Sequence, residues 1–352
     1  MFGSVLLWTR RKKVRGRQVM HMKDSYLSRR SANVRPIASV AVFAALGVLP
    51  RLASADEGGA SFWLPGQMSS FAAAPGEAGF SLPFVYYHTS VDAGGAKNFA
   101  VGGNLVAGLD VRADLVFFAP TYVFAGPVLG GQATLSLAWA AGQMKVSADA
   151  VITGPAGNTI NLSRTDTVEG GSDLYPMATL KWNRGNGNWL AYAMGGVPVG
   201  AYEVGRLANI GVNHWSLDAG AGYTYLDPKA GHELSIVGGL TYNFENEDTN
   251  YQNGVDGHID WAASQFLNEQ LHLGLVGYIY YQLSGDSGSG ATLGDFESRV
   301  YAVGPQAGYF FPAGKAQGYV NLRGYYEFDA SKRPEGWSAW LTLSFPFGSG
   351  NN

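Results

Sequence analysis

An alternation of period two is the feature that most constrains this chain. Across residues 109–117 the odd positions read Leu109, Val111, Ala113, Leu115 and Phe117, whereas the even positions from 108 to 114 read Gly108, Asp110, Arg112 and Asp114. Successive side chains of a strand point to opposite faces, so one face here suits an apolar medium and the other carries three charges. The same period returns about a dozen times, with alternating short and long connections, the pattern of a membrane-spanning antiparallel β-barrel with a polar lumen. The chain is thus expected to be all-β. Charged residues make up only 14% of it, against about 25% in soluble domains. No run after residue 50 approaches the roughly 20 apolar residues of a membrane helix.

Twelve strands are expected, near 80–90, 102–118, 131–143, 173–182, 189–199, 212–226, 232–244, 256–266, 271–283, 297–310, 317–328 and 337–347. In the sixth, Trp215, Leu217, Ala219, Ala221, Tyr223 and Tyr225 oppose Ser216, Asp218, Gly220, Gly222 and Thr224. In the seventh, Leu234, Ile236, Leu240 and Tyr242 oppose Glu233, Ser235, Thr241 and Asn243. In the last, Trp337, Ala339, Leu341, Leu343, Phe345 and Phe347 oppose Ser338, Thr342 and Ser344. Aromatics such as Trp182, Trp189, Tyr242 and Phe310 gather at strand ends, where membrane headgroups would lie.

The turns at 183–188, 227–231, 267–270 and 311–315 are short and fall on the side of both termini, as periplasmic turns do. The connection at 119–130 is too long for that side, so either the strand extends past the membrane there or the count is different. If 144–172 hides a hairpin around Pro155 and Asn158, the count becomes fourteen.

The first 55 residues read as a cleavable export signal. Arg10, Arg11, Lys12, Lys13, Arg15 and Arg17 begin a basic region, residues 37–49 are apolar, and Ala53-Ser54-Ala55 is a cleavage site. The basic region is long, so Met20 or Met22 is an alternative start. Residues 1–55 hold 11 Lys/Arg and one acid, so the whole-chain charge of −3 leaves −13 on residues 56–352. An acidic mature surface argues against nucleic acid as a partner. Without Cys, disulfides, thiolate metal sites and N-terminal lipidation are excluded. Residues 56–79 are read as a periplasmic lead-in, with a plug in the barrel mouth as the alternative and a short helical piece at 68–74. The barrel follows at 80–352.

Asp110, Arg112 and Asp114 form the strongest expected lumen cluster. Alternate residues of one strand lie about 6.5–7 Å apart, within reach of mutual ion pairing. Lys181, Asp218, Glu233, Asp256, Asp260, Arg323 and Glu327 are further lumen candidates. Such charges either satisfy one another in a narrow wet barrel or form a constriction that orients a solute. Asp256, His258 and Asp260 share a face and could be read as an acid–histidine pair, but no further ligand completes a metal site. No G-x-S-x-G, H-E-x-x-H, P-loop or dinucleotide motif is present. Catalytic, metal and cofactor sites are therefore expected to be none.

Several stretches carry a family resemblance: Phe62-Trp63-Leu64-Pro65-Gly66-Gln67, Tyr86-Tyr87-His88-Thr89-Ser90, Pro120-Thr121-Tyr122-Val123-Phe124, Asp173-Leu174-Tyr175-Pro176, Gly222-Tyr223-Thr224-Tyr225, Tyr242-Asn243-Phe244-Glu245-Asn246 and Arg333-Pro334-Glu335-Gly336-Trp337. On these the chain resembles the meta-pathway phenol-degradation family of outer-membrane proteins. The resemblance implies a bacterial outer-membrane channel for small aromatic or hydrophobic compounds, surrounded by outer-membrane lipids and delivered by periplasmic chaperones and the barrel-assembly machinery. Solutes would cross the lumen or leave sideways into the membrane. An outer-membrane hydrolase using His258 with Asp256 or Asp260, or a structural or adhesive barrel, is the alternative. Phe347 sits where such barrels often end on an aromatic residue, although Gly348 and four further residues follow it.

Overall fold

A strand in lipid has no water for its backbone groups, so period-two segments survive there only as a closed ring in which every strand is paired on both sides. The computed structural model of the protein forms that ring. It describes residues 61–93, 98–101, 104–153, 159–292, 297–314 and 316–347. The proposed export signal at 1–55 and the tip of the suspected hairpin at 155–158 lie outside the described residues.

The strands are β1 (Gly79–Asp92), β2 (Asn98–Val101), β3 (Asn104–Ala107), β4 (Asp110–Phe118), β5 (Thr121–Val128), β6 (Gly131–Thr153), β7 (Thr159–Gly171), β8 (Tyr175–Arg184), β9 (Gly187–Gly196), β10 (Ser216–Asp227), β11 (His232–Asn243), β12 (Asp256–Phe266), β13 (Leu271–Gln282), β14 (Arg299–Ala313), β15 (Ala316–Ser331) and β16 (Glu335–Phe347). Twelve of them make the wall, in the order β1, β4, β6, β8 through β16, and β16 pairs back onto β1 from Phe80↔Phe347 to Asp92↔Glu335. All pairings are antiparallel. No helix among the described residues is long and apolar enough to cross a membrane; the crossing is made by strands.

One expectation about connections is corrected and two alternatives are decided. The second strand does not begin at 102: β2 and β3 form a separate two-stranded ribbon, and the wall strand starts at Asp110. The long link at 119–130 is mostly strand. After Ala119 and Pro120, β5 continues β4 between β1 and β6, and the chain reverses at residues 129–130. A proline cannot donate to a ladder, which is why the strand is interrupted there. The hairpin in 144–172 exists, but β7 pairs only with the outer half of β6, from Ala141↔Gly171 to Thr153↔Thr159. It extends the wall outward and leaves the count at twelve.

Alternation sets which face each strand turns inward. On β10, Ser216, Asp218 and Thr224 are buried, whereas Leu217 is 57% exposed. On β11, Glu233, Ser235 and Thr241 are buried and Leu240 is 55% exposed. The exposed apolar faces form the lipid-facing belt, with Trp139, Trp215, Trp337 and Trp189 at its margins.

Residues 61–78 precede β1 and lie against the inward faces of the wall. They form consecutive turns rather than the expected helical piece. Pro65-Gly66 makes the first, closed by Gln67 N–H to Leu64 C=O at 3.1 Å. Gly66 has φ 83°, which the third position of a type II turn requires. A Cβ there would also meet the Tyr325 ring at 2.8 Å.

Candidate functional site

The turn-rich segment leaves many backbone groups without helix or sheet partners, and each must find one inside the barrel. The charged side chains of β8, β11, β12 and β15 supply them. Asp260 accepts from Gly66 N–H at 2.8 Å through Oδ1 and from Met68 N–H at 3.0 Å through Oδ2. Glu233 accepts from Phe71 N–H at 3.1 Å and from the Ser70 hydroxyl at 2.8 Å. Lys181 Nζ donates to Ala74 C=O at 3.1 Å. Arg323 donates to the Ser69 hydroxyl and lies over the Trp340 ring, 5.2 Å from its centroid. Gln132 grips Gly76 at both ends of its amide, at 2.7 and 2.8 Å.

Asp218 serves this assembly indirectly. Its Oδ2 pairs with His258 Nε2 at 2.9 Å, with both side chains fully buried, and Thr241 donates to the same oxygen. Trp63 covers the imidazole face. The expected partnership of His258 with Asp256 or Asp260 is therefore corrected. His258 and those residues share a face of one strand, but the acid that meets the ring comes from β10, across the sheet. Asp256 instead accepts from Asn243 Nδ2 at 2.9 Å.

Asp110, Arg112 and Asp114 do not face the lumen. Their strand is turned over: Ala113, Leu115 and Phe117 are buried inward, and the three charges point outward. Asp114 takes a hydrogen bond from the Tyr86 hydroxyl and lies 2.8 Å from His88 Nδ1, and Arg112 approaches Asp110 at 3.7 Å. These groups lie above the level of Trp139, which is level with Phe118 at the far end of β4.

The inverted strand creates the second half of the site. β1, β4 and β6 present Tyr87, Val111, Leu115, Phe117, Met144 and Val146 to a cavity of about 170 Å³. Phe62, Leu64 and Pro65 close it from below, and Leu207 and Ile210 from the loop between β9 and β10. Thr89, Ser172, Asn209, Glu327 and Arg333 add polar groups to this lining. Glu327 is held by the Tyr278 hydroxyl at 2.6 Å and Gly336 N–H at 3.0 Å.

That loop is tied down by Asp173, which the sequence reading did not single out as a site residue although it stands in one of the family stretches. Its carboxylate accepts from Val199 N–H at 3.1 Å, Gly200 N–H at 2.8 Å and Val212 N–H at 2.9 Å. Burial pushes its pKa above the ordinary carboxylate value, against the pull of these three bonds. Burial pushes the neighbouring His214 down. Trp63, Phe71 and Gln132 were likewise missed; only Trp63 carried a signal, in the stretch from Phe62 to Gln67.

The fold resembles that of an outer-membrane channel from Pseudomonas putida F1, with a TM-score of 0.61 at 17% identity, covering 77% of this chain and 96% of that one. A Pseudomonas aeruginosa FadL homologue aligns at a TM-score of 0.40 and 9% identity, over 76% of this chain and 90% of that one. No curated protein sequence matches the chain. A family model described as "Putative MetA-pathway of phenol degradation" matches residues 94–343, and the chain belongs to that family.

Proposed function

We propose that this protein is a bacterial outer-membrane channel for small hydrophobic or aromatic solutes. The observation that carries this reading is the cavity under the β9–β10 loop. It holds about 170 Å³, and a dry apolar cavity of about 150 Å³ is large enough to take benzene. Its apolar wall exists because β4 is turned over, which a channel for sugars or ions would not need. Membership in a phenol-degradation family and the fold shared with an outer-membrane channel support the same reading. The surrounding lipids, periplasmic chaperones and assembly machinery are the partners such a barrel needs.

A channel is favoured over a hydrolase by the state of His258. It is sealed beneath Trp63 against Asp218, where no substrate reaches it. Solute entry into liposomes carrying the protein tests the reading. Phenol-like aromatics are expected to enter faster than sugars of similar size. Equal entry would make it a general pore, and no entry through a folded barrel would favour a structural or adhesive role.

A further inference from the structure

At the short-turn end of the lumen, residues 61–78 fill a second apolar compartment. The Phe71 ring sits among Phe266, His272, Phe310 and Tyr319, with centroids at 5.8, 5.3, 5.7 and 6.2 Å. The walls are themselves near-parallel pairs: Phe266 and Phe310 differ by 7° and His272 and Tyr319 by 10°. His272 meets Phe71 edge-on at 87°. The compartment is shaped for one six-membered ring.

Two observations separate it from ordinary core packing. First, Phe71 has φ 65°, a conformation that a bulky L-residue rarely adopts and that costs free energy to hold. Phe71 N–H bonds to Glu233 Oε1 and Ser235 Oγ, each at 3.1 Å, keep it there. Second, the wall has a polar group that a phenylalanine cannot satisfy. His272 is fully buried and meets the Tyr319 hydroxyl through Nε2 at 3.0 Å, while its Nδ1 has no hydrogen-bond partner among the described residues. Such an orphan is costly. Room for the pair is reserved by Gly308, where a Cβ would fall on His272 Nε2 and crowd the Tyr319 hydroxyl.

We propose that this box is a binding site for a monocyclic aromatic solute bearing a hydroxyl group, and that Phe71 is its resident surrogate. The solute's ring takes the place of the Phe71 ring, and its hydroxyl meets His272 Nδ1. Displaced, Phe71 returns to an ordinary backbone conformation and residues 61–78 lose their inner anchor. The proposal rests on the reading that the barrel passes small aromatics and adds to it the step that opens the short-turn end.

Because the chain has no Cys, Ala73→Cys places a single reporter thiol on the segment, at a position that is fully buried. Its reaction with a water-soluble maleimide is followed in the full-length protein. Phenol is expected to accelerate labelling saturably by about tenfold, the shift given by a tenfold preference for the released form. Toluene should act more weakly and cyclohexanol not at all. With Phe71→Ala added, labelling should be fast at the outset and indifferent to phenol. With His272→Phe, phenol should lose its advantage over toluene. A rate unaffected by phenol, or accelerated equally with and without the Phe71 ring, overturns the proposal. Should Ala73→Cys fail to give a heat-modifiable barrel, Ala74→Cys reports the same release. Unchanged labelling in a protein that does pass phenol into liposomes overturns this site and leaves the channel reading standing; absence of phenol flux overturns the channel reading itself.

Discussion

Trp63 lies flat on His258, with ring centroids 3.7 Å apart and planes within 15° of parallel. The stack does two things at once. It seals the His258–Asp218 pair from water, and it fixes the start of residues 61–78 to the lumen wall. Truncating a fully buried aromatic typically costs about 3–5 kcal/mol. Trp63→Ala is therefore expected to lower the thermal midpoint in detergent and raise the ion conductance of the reconstituted barrel. Unchanged conductance would show that the segment is held without the stack.

Asp260 is the next hold along the segment. Hydrogen bonds to a charged group contribute about 1.5–3 kcal/mol each, and Asp260 accepts two from consecutive turns. Asp260→Ala should make the segment susceptible to protease in the folded barrel. Asp260→Asn keeps one acceptor oxygen and should be milder. Equal protection in all three proteins would count against a latch at this position.

Ala113 faces the outer cavity and is buried. Ala113→Trp places an indole in that space and should reduce the entry of phenol-like solutes into liposomes by about tenfold or more, the change produced by each 1.4 kcal/mol of lost favourable interaction. The barrel should remain heat-modifiable on gels. Full retention of flux would put the solute path elsewhere.

Arg112 and Asp114 make the opposite case on the same strand. Exposed ion pairs contribute about 0–1 kcal/mol, and these two point away from the lumen. Arg112→Gln and Asp114→Asn should leave both stability and aromatic flux near the values of the unsubstituted protein. A large loss of flux from either would mean that solutes approach along the outer surface.

The loop over the cavity should respond to pH through His214. Burial holds the folded-state pKa of His214 below its ordinary 6.5, so the unfolded stem binds the proton more readily. Loop stability is then complete above 6.5 and is lost as pH falls from 6.5 towards the depressed value. Asp173 works the other way, because burial raises its pKa from 3.8, so the folded stem binds that proton more readily. The protection factors of the Val199, Gly200 and Val212 amides, exchange rates corrected for the intrinsic pH dependence of amide exchange, should therefore fall from pH 7.5 to 5.5, and His214→Gln should remove that change.

How much of this was legible in the chain depends on what a pattern encodes. Period two revealed the strands β10, β11 and β16 and which of their faces meets lipid, because there an apolar face opposes a polar one and the lumen beside them is polar. On β4 the same pattern gave the strand and the wrong face. Alternation specifies that two media differ, and Leu115 and Phe117 are as well served by an apolar cavity as by lipid. The segment around Trp63 has no period at all, and its partners are remote, as with Gly66 and Asp260. His258 shows the same limit at shorter range, since its acid stands two strands away on β10, with β11 between them, and not two positions along its own strand.

β6 has a further consequence. It runs unbroken for 23 residues, which at about 3.3 Å per residue amounts to roughly 75 Å. A tilted strand needs only about 9–11 residues to traverse the hydrocarbon. More than half of this strand therefore serves as a mast, rooted among β4, β5 and β8 and carrying β7 beyond the outer leaflet on one side of the mouth. Among the described residues, the β6–β7 pair is thus a paired ribbon that outlasts the membrane crossing, and its backbone hydrogen bonds beyond the wall are made between these two strands alone.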